Sequence, residues 1–159
     1  MTKPVAVAPL AALDVPAVTK SVYPAPFVVQ VEGRSKRKLG DAFGLKNFGV
    51  NYTTLPPGKV SALLHHHATQ DEFVLILAGE AVVRVDDVEY PMVAGDCIGF
   101  AAGTGISHQL LNRSDAPLVY IEVGDRSLGD LVQYPKDDLQ AIQQADASWR
   151  FVHKNGEPW

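Results

Sequence analysis

Four side chains of the types that bind divalent metals stand out in this sequence: His65, His67, Glu72 and His108. Imidazole nitrogens and a carboxylate oxygen together suit a borderline divalent ion, such as iron, manganese, nickel, cobalt, zinc or copper. Selectivity among these ions depends on more than the ligand types, so the sequence leaves the identity of the metal open. If the four side chains converge, a divalent metal ion is the cofactor of this chain.

The spacing of these residues favours convergence. Alternate side chains of an extended strand share one face, so His65 and His67 point the same way and His66 points away. Glu72 begins a new apolar strand after a short polar turn and can face back toward the histidine pair. The alternative is a solvated run of three histidines without a role. We disfavour it because strand-like apolar segments flank the run on both sides.

The first half of this pattern resembles the first motif of the cupin superfamily. That motif consists of a glycine, a short run, His-x-His, three or four residues, a glutamate, six residues and a glycine. Its positions are matched here by Gly58, His65, His67, Glu72 and Gly79, with six residues instead of five between Gly58 and His65.

The stretch Gly95–Asn112 resembles the second cupin motif, in which a glycine, a Pro-x-Gly, a histidine and an asparagine follow one another at set distances. The end of the stretch fits well, from Gly105 to His108 and on to the final asparagine. Two departures precede it, because Ala101 or Gly103 stands where the motif has proline and two extra residues come before His108.

The resemblance to cupins implies a fold, a site and a class of ligand. The fold is an all-β, double-stranded β-helix barrel of the jelly-roll type. The metal ligands are His65, His67, Glu72 and His108. The ligand is a small-molecule substrate bound inside the barrel, which residues such as Val74, Ile76 and Leu110 are expected to line.

A weaker resemblance links the chain to one bacterial cupin group of mostly unknown function. It rests on Lys38–Leu45, Asn112–Pro117 and the ending His153–Trp159. Similar members are sometimes labelled sugar-phosphate isomerases, a label that rests on fold and motif and is weak ground for function.

The rest of the chain divides into three parts. From Lys46 onwards, short apolar segments alternate with turn signals, which is typical of an all-β barrel; we place the barrel at 46–124. Prolines prevent regular structure in the region before it, so 1–45 is predicted to be an arm and a basic loop. In 125–159 we expect a short helix after Asp137 and Asp138, followed by an irregular tail.

Composition excludes several classes of protein. The 159 residues carry a net charge of −4 and only one cysteine, so we expect neither nucleic-acid binding nor an intrachain disulfide. No stretch approaches the roughly 20 apolar residues of a membrane span, and prolines interrupt the apolar start. We therefore expect a cytoplasmic protein that does not bind membranes. Cys97 is interpreted as a buried, unreactive side chain.

A basic run precedes the barrel and has two interpretations. Four cations lie close together, at Arg34, Lys36, Arg37 and Lys38. The simpler interpretation is a solvated loop. The alternative is a site for a phosphate or for an acidic patch on a partner.

The segment Phe73–Leu77 is apolar on both faces, whereas one face of an antiparallel sheet usually meets water. Something is therefore expected to cover its outer face. We predict a homodimer, in which the arm carrying Tyr23 and Phe27 packs on the sheet that contains Phe73, Leu75 and Leu77. The alternative is a monomer in which the arm covers its own sheet.

Two functions fit the sequence. The first is a metal-dependent enzyme, of the isomerase or dioxygenase type, that acts on a small oxygen-rich substrate. The second is a non-catalytic cupin module that holds a small ligand or a metal. No catalytic acid or base can be assigned, although Tyr52, Tyr120 and Glu122 lie on predicted strands and reach the cavity if their register is right.

Overall fold

The described part of the chain, residues 7–159 of a computed structural model, folds almost entirely into β-strands. The first six residues of the expected arm lie outside it. Three short helical segments occur, the 3-10 turns Ala12–Asp14 and Phe27–Val31 and the single α-helical turn α1 at Leu39–Ala42. The strands are β1 Ala17–Val18, β2 Ser35–Lys38, β3 Phe48–Leu55, β4 His66–His67, β5 Glu72–Ala78, β6 Glu80–Val85, β7 Val88–Val93, β8 Cys97–Phe100, β9 His108–Leu111, β10 Leu118–Asp125, β11 Leu131–Tyr134, β12 Leu139–Gln143 and β13 Trp149–Val152.

The strands form two walls of a barrel. One wall is a six-stranded sheet in the order β1-β2-β3-β10-β5-β8. The other consists of a four-stranded sheet, β13-β12-β11-β4, and a three-stranded sheet, β7-β6-β9. An antiparallel bridge between His65 and His108 joins these two smaller sheets. The all-β jelly-roll barrel predicted from the sequence is therefore confirmed.

Alternating burial along the strands creates the core between the walls. In β5, Val74 and Ile76 are buried and belong to one apolar cluster with side chains of the facing sheet, such as Leu110. Phe73 and Leu77, on either side of this pair in the strand, point out of the barrel and are 41% and 42% exposed. Within residues 7–159 the outer face of β5 is thus apolar and partly exposed. The homodimer stays a prediction, because a single chain does not test it.

One tight turn explains a glycine of the first motif. Gly79 joins β5 to β6 with φ at +84°, in the left-handed region that favours glycine. A Cβ atom here would lie 2.7 Å from the carbonyl oxygen of Pro117. The turn can therefore form only where no side chain is present.

The N-terminal arm docks on its own chain, but not where the sequence suggested. Tyr23 contacts Tyr134 and Phe151, with ring centroids 5.8 and 5.6 Å apart, and Phe27 packs edge-on against Trp159 at 5.1 Å. In the described residues the arm thus covers strands β11 to β13 of its own chain, so the alternative of a monomer whose arm covers the sheet with Phe73, Leu75 and Leu77 is wrong, whereas packing in a homodimer stays a prediction. The reason is that the C-terminal strands offer the arm an apolar face of their own.

The secondary structure of the C-terminal region also differs from the prediction. The helix expected after Asp137 and Asp138 is absent, and the segment is strand β12, paired with β11 and β13. Asp137 closes a turn through its backbone N–H, which donates to the Tyr134 carbonyl oxygen at 3.2 Å. Leu139 and Ala141 are both buried, a spacing of two that belongs to a strand. The pair of aspartates therefore marks a hairpin turn and not a helix cap.

The basic run is also ordered differently from the expected loop. Ser35–Lys38 forms β2, which pairs antiparallel with β3 in the six-stranded sheet. Lys36 lies opposite Thr53, which is buried, and Arg37 lies opposite Tyr52 on the other face. Successive cations of the run therefore point to opposite sides of the sheet.

Candidate metal centre

Strand geometry brings three of the predicted ligands together. His67 lies in β4, His65 lies just before it, and Glu72 opens β5. Their ligand atoms all lie within 4.8 Å of one another. The Nε2 atoms of His65 and His67 are 3.5 and 3.4 Å from Glu72 Oε2. The cluster of His65, His67 and Glu72 is compatible with a divalent metal.

His108 lies beside this cluster at the start of β9. Its Nε2 atom is 2.5 Å from Glu72 Oε2, the distance of a strong hydrogen bond. The ring of Phe100 stacks on the imidazole at 3.7 Å and fixes its plane. A metal bound by all four side chains would take the place of this hydrogen bond, because Glu72 Oε2 and His108 Nε2 would both become its ligands.

Hydrogen bonds at Nδ1 orient the imidazole rings of His65 and His67. His65 Nδ1 donates to the Leu63 carbonyl oxygen at 2.7 Å, and His67 Nδ1 donates to Asp130 Oδ2 at 2.5 Å. A carbonyl or carboxylate oxygen only accepts, so each Nδ1 carries the proton. In the neutral ring, Nε2 then keeps its lone pair, and this atom faces Glu72. This is the arrangement by which metal-binding histidines are oriented in proteins.

The protonation states of Glu72 and His108 also suit a metal. Burial by itself raises the pKa of Glu72, but hydrogen bonds and charge from His108 and His65 hold it well below its ordinary value. Burial lowers the pKa of His108, which favours the neutral ring. For His67, burial alone would lower the pKa, but the hydrogen bond to Asp130 and the negative charges of Glu72 and Asp130 together outweigh it, and the pKa is raised. A metal requires an ionised carboxylate and neutral imidazoles, so the pKa shifts of Glu72 and His108 favour metal binding and the shift of His67 opposes it.

Asp130 is the residue that sequence reasoning missed. It is 1% exposed and precedes β11, the strand that pairs with β4. Besides the bond from His67, its carboxylate accepts hydrogen bonds from the Thr69 backbone N–H at 2.8 Å and the Thr69 hydroxyl at 3.2 Å. An isolated aspartate far beyond both motifs gives no signal, because only the pairing of β11 with β4 brings it to His67.

His66 lies outside the cluster, in agreement with the alternation of the strand. Its Nδ1 atom is 2.9 Å from the hydroxyl of Ser107. The sequence predicted no role for it at the site, and the structure gives it a neighbouring hydroxyl instead.

The cluster opens into a cavity of about 260 Å³. Val74 and Leu110 line it, as expected, whereas Ile76 does not. Its other walls are rich in polar and aromatic groups: Tyr23, Arg34, Lys36, Tyr120, Glu122, Tyr134, Trp149 and Phe151. Aromatic rings from the arm and the C-terminal strands thus close a cavity whose floor holds the histidines.

Of the three residues considered as acid or base, two reach this cavity. Tyr120 and Glu122 line it, while Tyr52 pairs in register with Ile121 and faces the outer side of the sheet. Burial raises the pKa of Tyr120 well above its ordinary value, so the phenol stays protonated. Its buried hydroxyl has no hydrogen-bond partner in the described residues, and the Glu122 carboxylate forms an ion pair with Lys36.

Similar proteins share this fold over most of the chain. A family model for the cupin domain matches residues 51–124. A structure described as a sugar phosphate isomerase from a cupin superfamily, from Silicibacter pomeroyi, is 40% identical, with 96% of each chain covered and a TM-score of 0.90. A protein provisionally assigned as a sugar phosphate isomerase, from Acidithiobacillus ferrooxidans, is 30% identical, with 77% of each chain covered and a TM-score of 0.71.

More distant matches show the fold alone. A predicted oxalate decarboxylase from Thermotoga maritima is 23% identical, with 74% of this chain and 98% of that chain covered and a TM-score of 0.60. No protein of curated function matches the chain.

Within residues 7–159, no helix has the length and apolar character needed to cross a membrane. The match of the cupin model and the similarity across nearly the whole length of the Silicibacter protein show that this chain belongs to the cupin superfamily.

Proposed function

We propose that this cupin is an enzyme that binds one divalent metal through His65, His67, Glu72 and His108 and converts a small oxygen-rich substrate. The observation that carries the proposal is that these groups form the floor of a cavity with further ionisable side chains in its walls. A dry, wholly apolar cavity would instead favour a module that only holds a ligand.

The ligand set supports Lewis-acid chemistry. His65, His67 and His108 as neutral imidazoles and Glu72 as a carboxylate would hold a divalent ion that keeps a net positive charge. When bound, such an ion polarises substrate oxygens or lowers the pKa of bound water. The burial of His65 and His108, which are 8% and 6% exposed, keeps bulk water from most of the site.

The cavity walls supply groups that could position a substrate and move a proton. The Tyr120 hydroxyl is protonated and without a partner in the described residues, so it can donate a hydrogen bond to a substrate oxygen. The Glu122 carboxylate also accepts a hydrogen bond from the Asn51 amide at 3.1 Å and lies on the same strand as Tyr120. The volume of about 260 Å³ equals that of roughly nine waters, which suits a small sugar or hydroxy acid.

An isomerase is the reaction type that the comparisons favour. Two of the similar proteins, the Silicibacter structure at 40% identity and the Acidithiobacillus protein at 30%, are described as sugar phosphate isomerases, the second provisionally. We therefore rank interconversion of a small sugar phosphate above oxygen-dependent cleavage.

Metal binding is tested first, on protein stripped with a chelator and titrated with zinc or manganese. Wild type should bind one ion per chain, and His67→Ala should lose most of that affinity while keeping its fold, because the apolar core lies elsewhere. His66→Ala is the matched control, since it removes an imidazole from the same strand but outside the cluster. Equal metal binding by both variants would contradict the proposed ligand set.

Turnover is tested next, with the metal-loaded protein and a panel of aldose and ketose phosphates followed by NMR. Appearance of the isomeric sugar, lost in His67→Ala and retained in His66→Ala, supports the enzyme. Binding of metal and sugar phosphate without any turnover would show that the chain is a binding module.

A further inference from the structure

A second charged region lines the same cavity, at the entry to β2. Arg34 immediately precedes the strand, and Lys36 lies on the face that looks into the barrel. Their neighbour Arg37 is turned the other way, and its guanidinium donates to the Val15 carbonyl oxygen outside the cavity. Two cations of the basic run, Arg34 and Lys36, therefore point into the cavity.

The two interior cations differ in their partners. Lys36 is paired with the Glu122 carboxylate, so its charge is compensated. Arg34 donates one hydrogen bond, to the Ser61 carbonyl oxygen, and forms no ion pair with any carboxylate in the described residues. A guanidinium has five N–H donors, so most of its donors are not used by the protein.

The surroundings of Arg34 are partly closed to water. Its side chain is half-buried, and its charge acts on three phenols of the cavity, Tyr23, Tyr120 and Tyr134. Burial raises the pKa of each phenol, and the charge of Arg34 opposes that rise. All three therefore stay neutral and cannot serve as its counter-ion.

The uncompensated charge lies in the cavity that holds the histidine cluster. Outside that cluster, the ionised side chains of the wall are Arg34, Lys36 and Glu122, which leaves one positive charge. An anion bound in this cavity would pair with the Arg34 charge and use the N–H donors that the Ser61 carbonyl leaves over. Guanidinium is the side chain best matched to phosphate or carboxylate, because its N–H groups form a planar fork.

We propose that Arg34 is an anion subsite of this cavity and binds the phosphate group of the substrate while the reacting oxygens face the histidine cluster. The substrate then has a reactive oxygen-bearing end and an anionic end, both held within one cavity. The identity of the reacting end rests on the proposed function, whereas binding of the anion by Arg34 does not. Carboxylate is the other oxyanion with suitable chemistry, and the test separates the two.

The experiment is a calorimetric titration of metal-free protein with inorganic phosphate, repeated with acetate. Saturable phosphate binding is expected for wild type, and Arg34→Gln should weaken it about ten- to hundredfold, the loss of one or two charged hydrogen bonds. Glutamine keeps an N–H donor for the Ser61 carbonyl while removing the charge. Arg37→Gln is the matched control three residues further along the chain, with its guanidinium outside the cavity, and should bind phosphate as wild type does.

Each further outcome decides between alternatives. Acetate binding as strong as phosphate binding, and equally dependent on Arg34, would assign the subsite to carboxylates and overturn the phosphate. Absence of binding by both anions, or unchanged affinity in Arg34→Gln, overturns the subsite. If Arg34→Gln does not fold, Arg34→Lys keeps the charge but not the fork and should bind several-fold more weakly; unchanged affinity would overturn the role of the guanidinium.

Metal titration of the same variants separates this inference from the proposed function. Arg34→Gln should bind metal as wild type does, and His67→Ala should still bind phosphate. Phosphate binding that depends on Arg34 in a protein that binds no metal would leave the subsite standing and remove the metal-dependent enzyme.

Discussion

Replacing Asp130 by asparagine tests how His67 is oriented toward the cluster. The carboxylate accepts on both sides, from His67 Nδ1 at 2.5 Å and from the Thr69 backbone N–H at 2.8 Å. Asparagine has nearly the same shape but presents one acceptor and one donor. Whichever way its amide turns, an NH₂ group faces either the imidazole N–H or the backbone N–H.

The consequence for His67 follows from its tautomers. With the amide NH₂ facing the ring, the proton moves from Nδ1 to Nε2, the atom that faces Glu72, and the lone pair offered to a metal is lost. Loss of such an outer hydrogen-bond partner lowers metal affinity by about 10- to 100-fold, or about 1.4–2.7 kcal/mol. With the amide turned around, the unsatisfied Thr69 N–H destabilises the fold by about 1–3 kcal/mol.

The assay is competition between metal-free protein and a chelator for zinc, together with denaturant unfolding. Asp138→Asn is the matched control, because Asp138 also contacts a histidine, His153, at 2.8 Å, but outside the cavity. Asp130→Asn should show a loss in metal affinity, in stability, or in both, and Asp138→Asn should retain the metal affinity of wild type. Wild-type affinity and stability in Asp130→Asn would refute the reasoning about the tautomer.

Two further predictions concern the barrel. Gly79→Ala should lower the free energy of unfolding by about 2 kcal/mol or more in denaturant, because strain at positive φ adds to a clash with backbone. Gly44→Ala is the control, with φ at +70° and free space around it, and should lower the free energy of unfolding by about 1 kcal/mol through strain alone. Equal losses in the two variants would count against the clash. Leu77→Lys should shift the predicted homodimer toward monomer in sedimentation equilibrium, because it places a charge on the exposed outer face of β5; a monomeric wild type would contradict the dimer itself.

The local pattern of the sequence was sufficient for the centre of the site. The alternation of a strand places His65 and His67 on one side and His66 on the other, and this depends on nothing beyond neighbouring residues. The apolar run after Glu72 identifies β5 in the same way. The strands of the barrel could be predicted because they follow from the alternation of apolar residues and from the turn residues between them.

Features that depend on pairing between distant segments could not be predicted. Asp130 reaches His67 only because β11 pairs with β4, and Arg34 reaches the cavity only because β2 joins β3. The helix expected after Asp138 failed for a related reason. Its capping residues also suit a turn, and the apolar positions at Leu139 and Ala141 become a strand face once the arm and neighbouring strands cover them.

The cavity is built by three parts of the chain, and this separates the metal site from the shape around it. Residues 51–124, which match the cupin model, contain the histidines and Glu72. The arm adds Tyr23, and the strands beyond Gly124 add Tyr134, Trp149 and Phe151. Related chains that differ at their two ends can therefore keep the same cluster of histidines and glutamate while the cavity around it differs in size and charge. Half of the residues that line this cavity therefore lie outside the segment by which the family is identified.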